Sequence, residues 1–213
     1  MSARAAIVIP IRSLSDGKTR LSPVLDPAAR ATLTRDMLDG VVRAALGTLS
    51  RAEVVVISPD PDALAEVGRI DASIRLVLQD PNRPGLVPAL VQAAEYARHI
   101  GVSTVLILPA DLPLVSSADI DNLLRRDAPV VIAPDRHRMG TNALMVRLDA
   151  FGEPFAFQFG EGSFAKHQDE AARLGVDAVT ATAPGTSFDL DTPEDLLKLN
   201  ELRTPAHAGR AAR

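Results

Sequence analysis

Residues 5–23 read AAIVIPIRSLSDGKTRLSP, an aliphatic run that ends at a proline and opens into a polar loop. Ala5-Ala6-Ile7-Val8-Ile9 is too short for a helix and bounded by Pro10, so it predicts a strand. The loop that follows contains Gly17-Lys18-Thr19, the ending of a nucleotide-binding P-loop. The full P-loop pattern also requires a glycine five residues before Gly17, and that position holds Arg12. Ser13, Leu14, Ser15 and Asp16 supply no other glycine to curl the backbone around a phosphate. This is not a standard P-loop. Lys18 and Arg20 nevertheless follow the first strand directly, where a polyphosphate could lie. Arginine grips two phosphate oxygens at once, and lysine acts as a mobile point charge. A solvated surface loop is the competing reading.

Working outward, aliphatic runs at 54–58, 74–78, 104–109, 129–133, 142–147 and 179–183 join 5–11 as predicted strands. Helical patterns alternate with them. Asp26 and Pro27 suit the start of a helix reaching Leu46, with Leu33, Met37, Val41 and Ala45 on one stripe. Leu90, Ala94 and Ala97 mark a second helix over 86–100, and Ser116 with Asp119 resembles a capping box. Thr192-Pro193-Glu194-Asp195 predicts the last helix start, with acids near its positive end. Strand–helix alternation of this kind predicts a single α/β domain over 1–203, with helices on both faces of one sheet. Residues 204–213 lack an apolar period and are expected to be disordered.

The composition narrows the function. Of 213 residues, 46% are hydrophobic but only 3% aromatic, which predicts an aliphatic core. There is no cysteine, so disulfides, thiolate zinc sites and cysteine nucleophiles are excluded, in keeping with a reducing cytoplasm. A net charge of −4 offers no global field for nucleic acid. No apolar run approaches the roughly 18 residues of a membrane span. The four histidines, His99, His137, His167 and His207, are too scattered for a metal cluster. The oligomeric state is left open, a homodimer included.

In open α/β sheets ligands bind beyond the carboxyl ends of the strands. The loops there contain Arg12 to Arg20, Ser58-Pro59-Asp60, Gln79 to Gly85, Ala110-Asp111-Leu112-Pro113 and Asp135 to Gly140. Asp189 and Asp191, two apart in "FDLD", share one side if the segment is extended. Paired carboxylates repel, and a Mg²⁺ ion reconciles them while keeping positions for water and substrate phosphate. The competing reading gives Asp191 and Thr192 to the cap of the last helix. Asp111, which ends an apolar strand, is a third acid for the same cation, or else a turn residue. Thr141, at a strand start after Gly140, and Gly160 to Ser163, running into a helix, are candidates for an anion seat. For Ser163, a plain helix cap is the alternative.

Five ordered stretches, "IPIRSLSDGKTRLSP", "LPADLPL", "APDRHRMGTNAL", "GEGSFAKH" and "FDLDTPEDL", resemble the guanylyltransferases of coenzyme F420 biosynthesis. That resemblance extends to about Asn200 and implies a Rossmann-like, GT-A-like nucleotidyltransferase sheet. It implies a reaction joining a small phosphorylated acid (2-phospho-L-lactate, phosphoenolpyruvate or 3-phosphoglycerate) to GMP from GTP, with release of pyrophosphate. By position, Asp111, Asp189 and Asp191 match the Mg²⁺-binding acids, and Thr141, Gly160 and Ser163 match residues holding the acid. Lys18 and Arg20 match the basic nucleotide loop. Where the family usually has Gly-Leu-Asn, this chain has Gly85-Leu86-Val87, which bears on base recognition. Two rival readings are a molybdopterin- or sugar-phosphate-type nucleotidyltransferase and a non-catalytic nucleotide-binding regulatory domain. The missing glycine-rich first loop speaks against the former, and the retained acids against the latter.

Overall fold

The computed structural model describes residues 4–14 and 17–203. Ser15, Asp16 and the tail 204–213 therefore lie outside the described residues. All seven predicted strands form: β1 (Ala5–Pro10), β2 (Glu53–Ser58), β3 (Arg75–Leu78), β4 (Thr104–Ile107), β5 (Val130–Pro134), β6 (Thr141–Arg147) and β7 (Ala178–Thr180). They build one sheet in the order β3-β2-β1-β4-β6-β5-β7. β1 pairs in parallel with β2 and β4, whereas β6 runs antiparallel between β4 and β5. The sheet is mixed.

Alternation along the strands divides the core in two. Ile7 and Ile9 of β1 face one cluster, whereas Ala6 and Val8 face the other. The first face is covered by α1 (Pro27–Leu46), α2 (Pro61–Val67) and α4 (Ser117–Leu124), through Val41, Leu64 and Ile120 among others. The second is covered by α3 (Leu86–His99) and α5 (Ser163–Arg173), through Leu90 and Phe164. Helices on both faces of a buried sheet were the expected architecture.

Local signals hold where they had a mechanism. Asp26 accepts the Ala29 N–H at 2.7 Å with Pro27 as the first helical residue. Ser116 and Asp119 form a reciprocal capping box. Asp60 lies in the loop after β2, as expected, and its carboxylate also caps α2 by accepting the Asp62 and Ala63 N–H groups. The same Asp-Pro signal that marks α1 is present at Asp60-Pro61. A one-turn helix, α6 (Pro184–Ser187), precedes the final α7 (Pro193–Arg203).

Candidate active site

A third, smaller cluster explains how distant parts of the chain meet. Leu21, Phe188 and Leu190 are buried together with Met37 and Leu199. Burying such a side chain is worth roughly 1.5–3 kcal/mol, so the cluster anchors both the first loop and the segment before α7. The Leu190 N–H donates to the Asp111 carbonyl at 3.1 Å, which stitches that segment to the end of β4. With Phe188 and Leu190 turned inward, Asp189 and Asp191 turn outward on the opposite side. The period-two reading of "FDLD" holds.

Lys18 completes the arrangement. Its backbone is left-handed, at φ 54°, immediately before the single 3-10 turn Thr19–Leu21. Its Nζ donates to Asp111 Oδ2 and to Asp191 Oδ1, each at 2.9 Å. Burial works to lower the Lys18 pKa, but the charges of Asp111 and Asp191 outweigh it and hold the ammonium above its ordinary value. Arg20 Nη1 lies 3.7 Å from Asp191 Oδ2 and is largely exposed. Asp189 accepts a long hydrogen bond of 3.4 Å from Asn142 Nδ2. Its pKa is raised, chiefly by burial, with the charges of Asp111 and Asp191 acting in the same direction. The three predicted acids thus sense one another, and an ammonium lies between two of them. Among the described residues, no group of three carboxylates or imidazoles is arranged as a ready metal cage.

The final helix does not use Asp191 as its cap. Thr192 Oγ1 accepts the Asp195 N–H, and the Asp195 carboxylate accepts the N–H groups of Asp191 and Thr192. Those bonds outweigh burial and hold Asp195 below the usual carboxylate range. Arg136 pairs with the same carboxylate. Thr192 thus caps the helix, as the competing reading expected, with Asp195 reciprocating, whereas the Asp191 side chain is turned to Lys18.

Two adjoining cavities open beside this bridge. One, of about 210 Å³, is lined by Lys18, Asp111, Leu86, Leu90 and Phe159 among others. The other, of about 610 Å³, is lined by Pro59, Gln79, Asp80, Pro84, Gly85 and Ala89. Pro10, Ile11, Arg12 and Leu86 line both. The cleft therefore lies beyond the carboxyl end of β1, where a doubly wound sheet places its ligand. Arg12, the first residue of the ligand-side loop expected after β1, is a wall residue of both cavities. Gln79 braces the rim: its Nε2 donates to the carbonyls of Arg83 at 2.6 Å and Gly85 at 2.9 Å. Leu86 faces the cleft, whereas Val87 packs against the second core cluster.

The anion-seat candidates converge, but differently from expectation. Gly162, at φ 69°, is the N-cap of α5, and Ser163 is its first helical residue. The Ser163 and Phe164 N–H groups donate to the carbonyls of Gly160 and Met139, at 3.1 and 3.2 Å. The N–H groups at these two positions are therefore not free to receive an anion, because neighbouring loops already satisfy them. The Ser163 hydroxyl instead accepts the Thr141 N–H at 2.9 Å, joining the start of β6 to the start of α5. Gly160 is exposed, at φ 114°, and an added Cβ would meet no atom within 4 Å. Gly140 is required by crowding, since a Cβ there would lie 2.8 Å from Asp135 Oδ2. That carboxylate accepts the His137, Met139 and Gly140 N–H groups and so shapes the turn before Thr141.

The family model described as "Guanylyl transferase CofC like" matches residues 5–202. The chain is 42% identical over 195 residues to a phosphoenolpyruvate guanylyltransferase of Rubrobacter xylanophilus, covering 90% of this chain and 91% of that protein. It is 37% identical over 194 residues to a phosphoenolpyruvate guanylyltransferase of Sphaerobacter thermophilus, covering 90% of each. A solved Desulfovibrio desulfuricans structure, assigned as a nucleotide-diphospho-sugar transferase, superposes with a TM-score of 0.77 at 16% identity, over 99% of this chain and 92% of that one. The last likeness carries the fold alone. No helix among the described residues is long and apolar enough to cross a membrane. With the sheet, the cleft and the sequence match in agreement, this chain belongs to the CofC-like guanylyl transferase family and is a nucleotidyltransferase.

Proposed function

We propose that the chain joins a small phosphorylated acid to GMP from GTP and releases pyrophosphate, as a cytoplasmic step of coenzyme F420 biosynthesis. Phosphoenolpyruvate is the first candidate acid, because the similar relatives carry that name; 2-phospho-L-lactate and 3-phosphoglycerate are the others. The observation that carries this reading is the bridge from Lys18 to Asp111 and Asp191 at the end of a cleft that Lys18 and Asp111 themselves line.

An oxygen of the acid's phosphate attacks the α-phosphorus of GTP. The bond from that phosphorus to the bridging oxygen of the β-phosphate breaks, and its electron pair leaves with pyrophosphate. A phosphate monoester has a second pKa of about 6, so the nucleophile is mostly dianionic at neutral pH and needs no strong general base. The barrier is instead the approach of two anions. Lys18 and Arg20 offset that charge at the triphosphate, while Thr141, Gly160 and Ser163 hold the acid.

Asp111, Asp189 and Asp191 are the residues that would hold Mg²⁺. Their donors are all carboxylate oxygens, and Asp111 and Asp191 already share the Lys18 ammonium, so the donor chemistry suits a hard cation although the three acids are not gathered into a cage. When bound, the ion supplies charge neutralisation to the triphosphate. The test is to incubate the pure protein, Mg²⁺ and GTP separately with each of the three acids and to follow pyrophosphate. Acid-dependent release is the expected result, and its rate ranks the acids. Release with none of them would overturn the reading.

A further inference from the structure

The imidazole of His167 is fully buried on α5, beside the rings of Phe155 and Phe159. Both ring nitrogens have partners. The Gln158 backbone N–H donates to Nε2 at 3.0 Å, and Nδ1 lies 2.9 Å from Thr141 Oγ1. A backbone amide N–H can only donate, so Nε2 must present a lone pair. The neutral ring then carries its proton on Nδ1. That proton points at Thr141 Oγ1, which is the acceptor. The Ser163 hydroxyl is likewise an acceptor toward the protein, from the Thr141 N–H. Among the described residues, no hydrogen bond takes up the proton of either hydroxyl.

We propose that His167 is a positioning residue that commits the Thr141 hydroxyl to accept from the protein, leaving the Thr141 and Ser163 protons for the ligand. The pair then favours oxygens that carry no proton, those of a dianionic phosphate or a carboxylate. This rests on the guanylyltransferase reading, in which these residues hold the phosphorylated acid. With the opposite tautomer, Nδ1 would take up the Thr141 proton and Nε2–H would face the Gln158 N–H. The Gln158 amide is the lock. The surroundings keep the ring neutral: burial pushes its pKa down to about 4, the Lys166 charge adds to this, and the Glu170 carboxylate opposes it.

The experiment has two arms. Long-range ¹H–¹⁵N spectra of histidine-labelled protein, with His167 assigned by its loss in H167N, should show a neutral Nδ1–H ring down to about pH 5. An Nε2–H ring, or an imidazolium at about pH 6, would overturn the proposal. The kinetic arm measures pyrophosphate release with phosphoenolpyruvate and GTP. Asparagine can offer an N–H near the Nδ1 position, whereas aspartate of similar shape only accepts and reverses the polarity. H167D should raise the KM for phosphoenolpyruvate about tenfold or more, with the GTP KM changed less than about twofold. H167N should stay within about threefold of the parent. In a T141V background the aspartate should add less than about twofold, because the group it acts through is gone. If H167D does not fold, H167A in the same two backgrounds makes the same comparison. Equal KM values for H167N and H167D, or an undiminished penalty in T141V, would overturn the proposal. A parent without pyrophosphate release would instead defeat the functional reading, while the spectra would still decide the tautomer.

Discussion

Lys18 Nζ donates to Asp191 Oδ1 at 2.9 Å across 173 residues of chain, and the same ammonium holds Asp111 at an equal distance. A lysine of the first loop thus occupies a position between two of the acids proposed to hold a cation, while itself proposed to meet the triphosphate. The two roles compete. Lys18→Met should therefore act in opposite directions on two ligands. Without nucleotide, Mn²⁺ followed by electron paramagnetic resonance should bind about tenfold more tightly, since the competing charge is gone. The KM for GTP should rise by roughly tenfold to a hundredfold, the worth of a charge-assisted phosphate contact. A fall in both affinities would mean that Lys18 only organises the acids.

Asn at 111, 189 or 191 keeps shape and removes one negative charge. Turnover should fall by about a hundredfold or more, the scale of losing one preorganised electrostatic contact. Asp189 offers a sharper check, because burial and the neighbouring carboxylates raise its pKa. Its ionised form is therefore a cost to the folded state at neutral pH. Without metal, Asp189→Asn should melt no lower than the parent at pH 7, although it is inactive. Near-parental turnover in both Asp189→Asn and Asp191→Asn would remove these acids from the reaction.

His167 also predicts a pH dependence of stability. Its pKa is about 4 in the folded protein, against 6.5 as an ordinary histidine. Between those values the unfolded chain takes up a proton that the folded one refuses, so stability falls as pH drops through this window. The contribution is at most about 3–4 kcal/mol, at about 1.36 kcal/mol per pH unit. Denaturant melts across the window should show a shallower slope in His167→Asn than in the parent. Parallel slopes would mean that the ring protonates in the folded state too.

Much of this was readable from the chain because the signals were local. Seven aliphatic runs became seven strands, and Asp26, Ser116 and Thr192 marked helix starts through side-chain capping. The order of the sheet was not readable, because nothing local says that β6 inserts antiparallel between β4 and β5. The acids of "FDLD" are marked by alternation and by the family resemblance. Their contact with Lys18 depends on Leu21, Phe188 and Leu190 sharing one small core, which no spacing rule encodes. His167 has no histidine neighbours in sequence, so no local pattern marks it. Its partner Thr141 lies 26 residues away and is met only through the fold.

Position 87 separates family pattern from local environment. Val87 packs against the apolar cluster behind the cleft, and Leu86 is the residue that lines both cavities. An asparagine at 87 would press an amide into that cluster, at about 1–3 kcal/mol if unpaired. Val87→Asn should therefore lower the melting temperature and leave the ratio of GTP to ATP turnover within about twofold of the parent. A sharply improved GTP preference would show instead that this side chain reaches the nucleotide.

Gly160 allows the proposed seat for the phosphorylated acid to be probed by size. Its φ of 114° strains any L-residue, so alanine and valine share a penalty of roughly 1–3 kcal/mol in stability. Beyond that strain the protein itself does not distinguish them at the Cβ, because no atom lies within 4 Å of it. Valine adds two γ-carbons and β-branching at this positive φ, so only a difference in acid KM beyond that seen in stability reports on what occupies the open space. If the acid binds there, Gly160→Val should raise its KM well beyond Gly160→Ala, by about tenfold or more, while the GTP KM stays within about twofold for both. Thermal melts of the two variants supply the control, since they measure the extra strain of β-branched valine at this φ separately from the acid. Ser163→Ala belongs beside them: it leaves the Thr141 N–H without its acceptor, so it should lower stability and raise the acid KM together. Equal acid KM values for alanine and valine at 160 would make Gly160 a turn residue and move the acid elsewhere along the cleft.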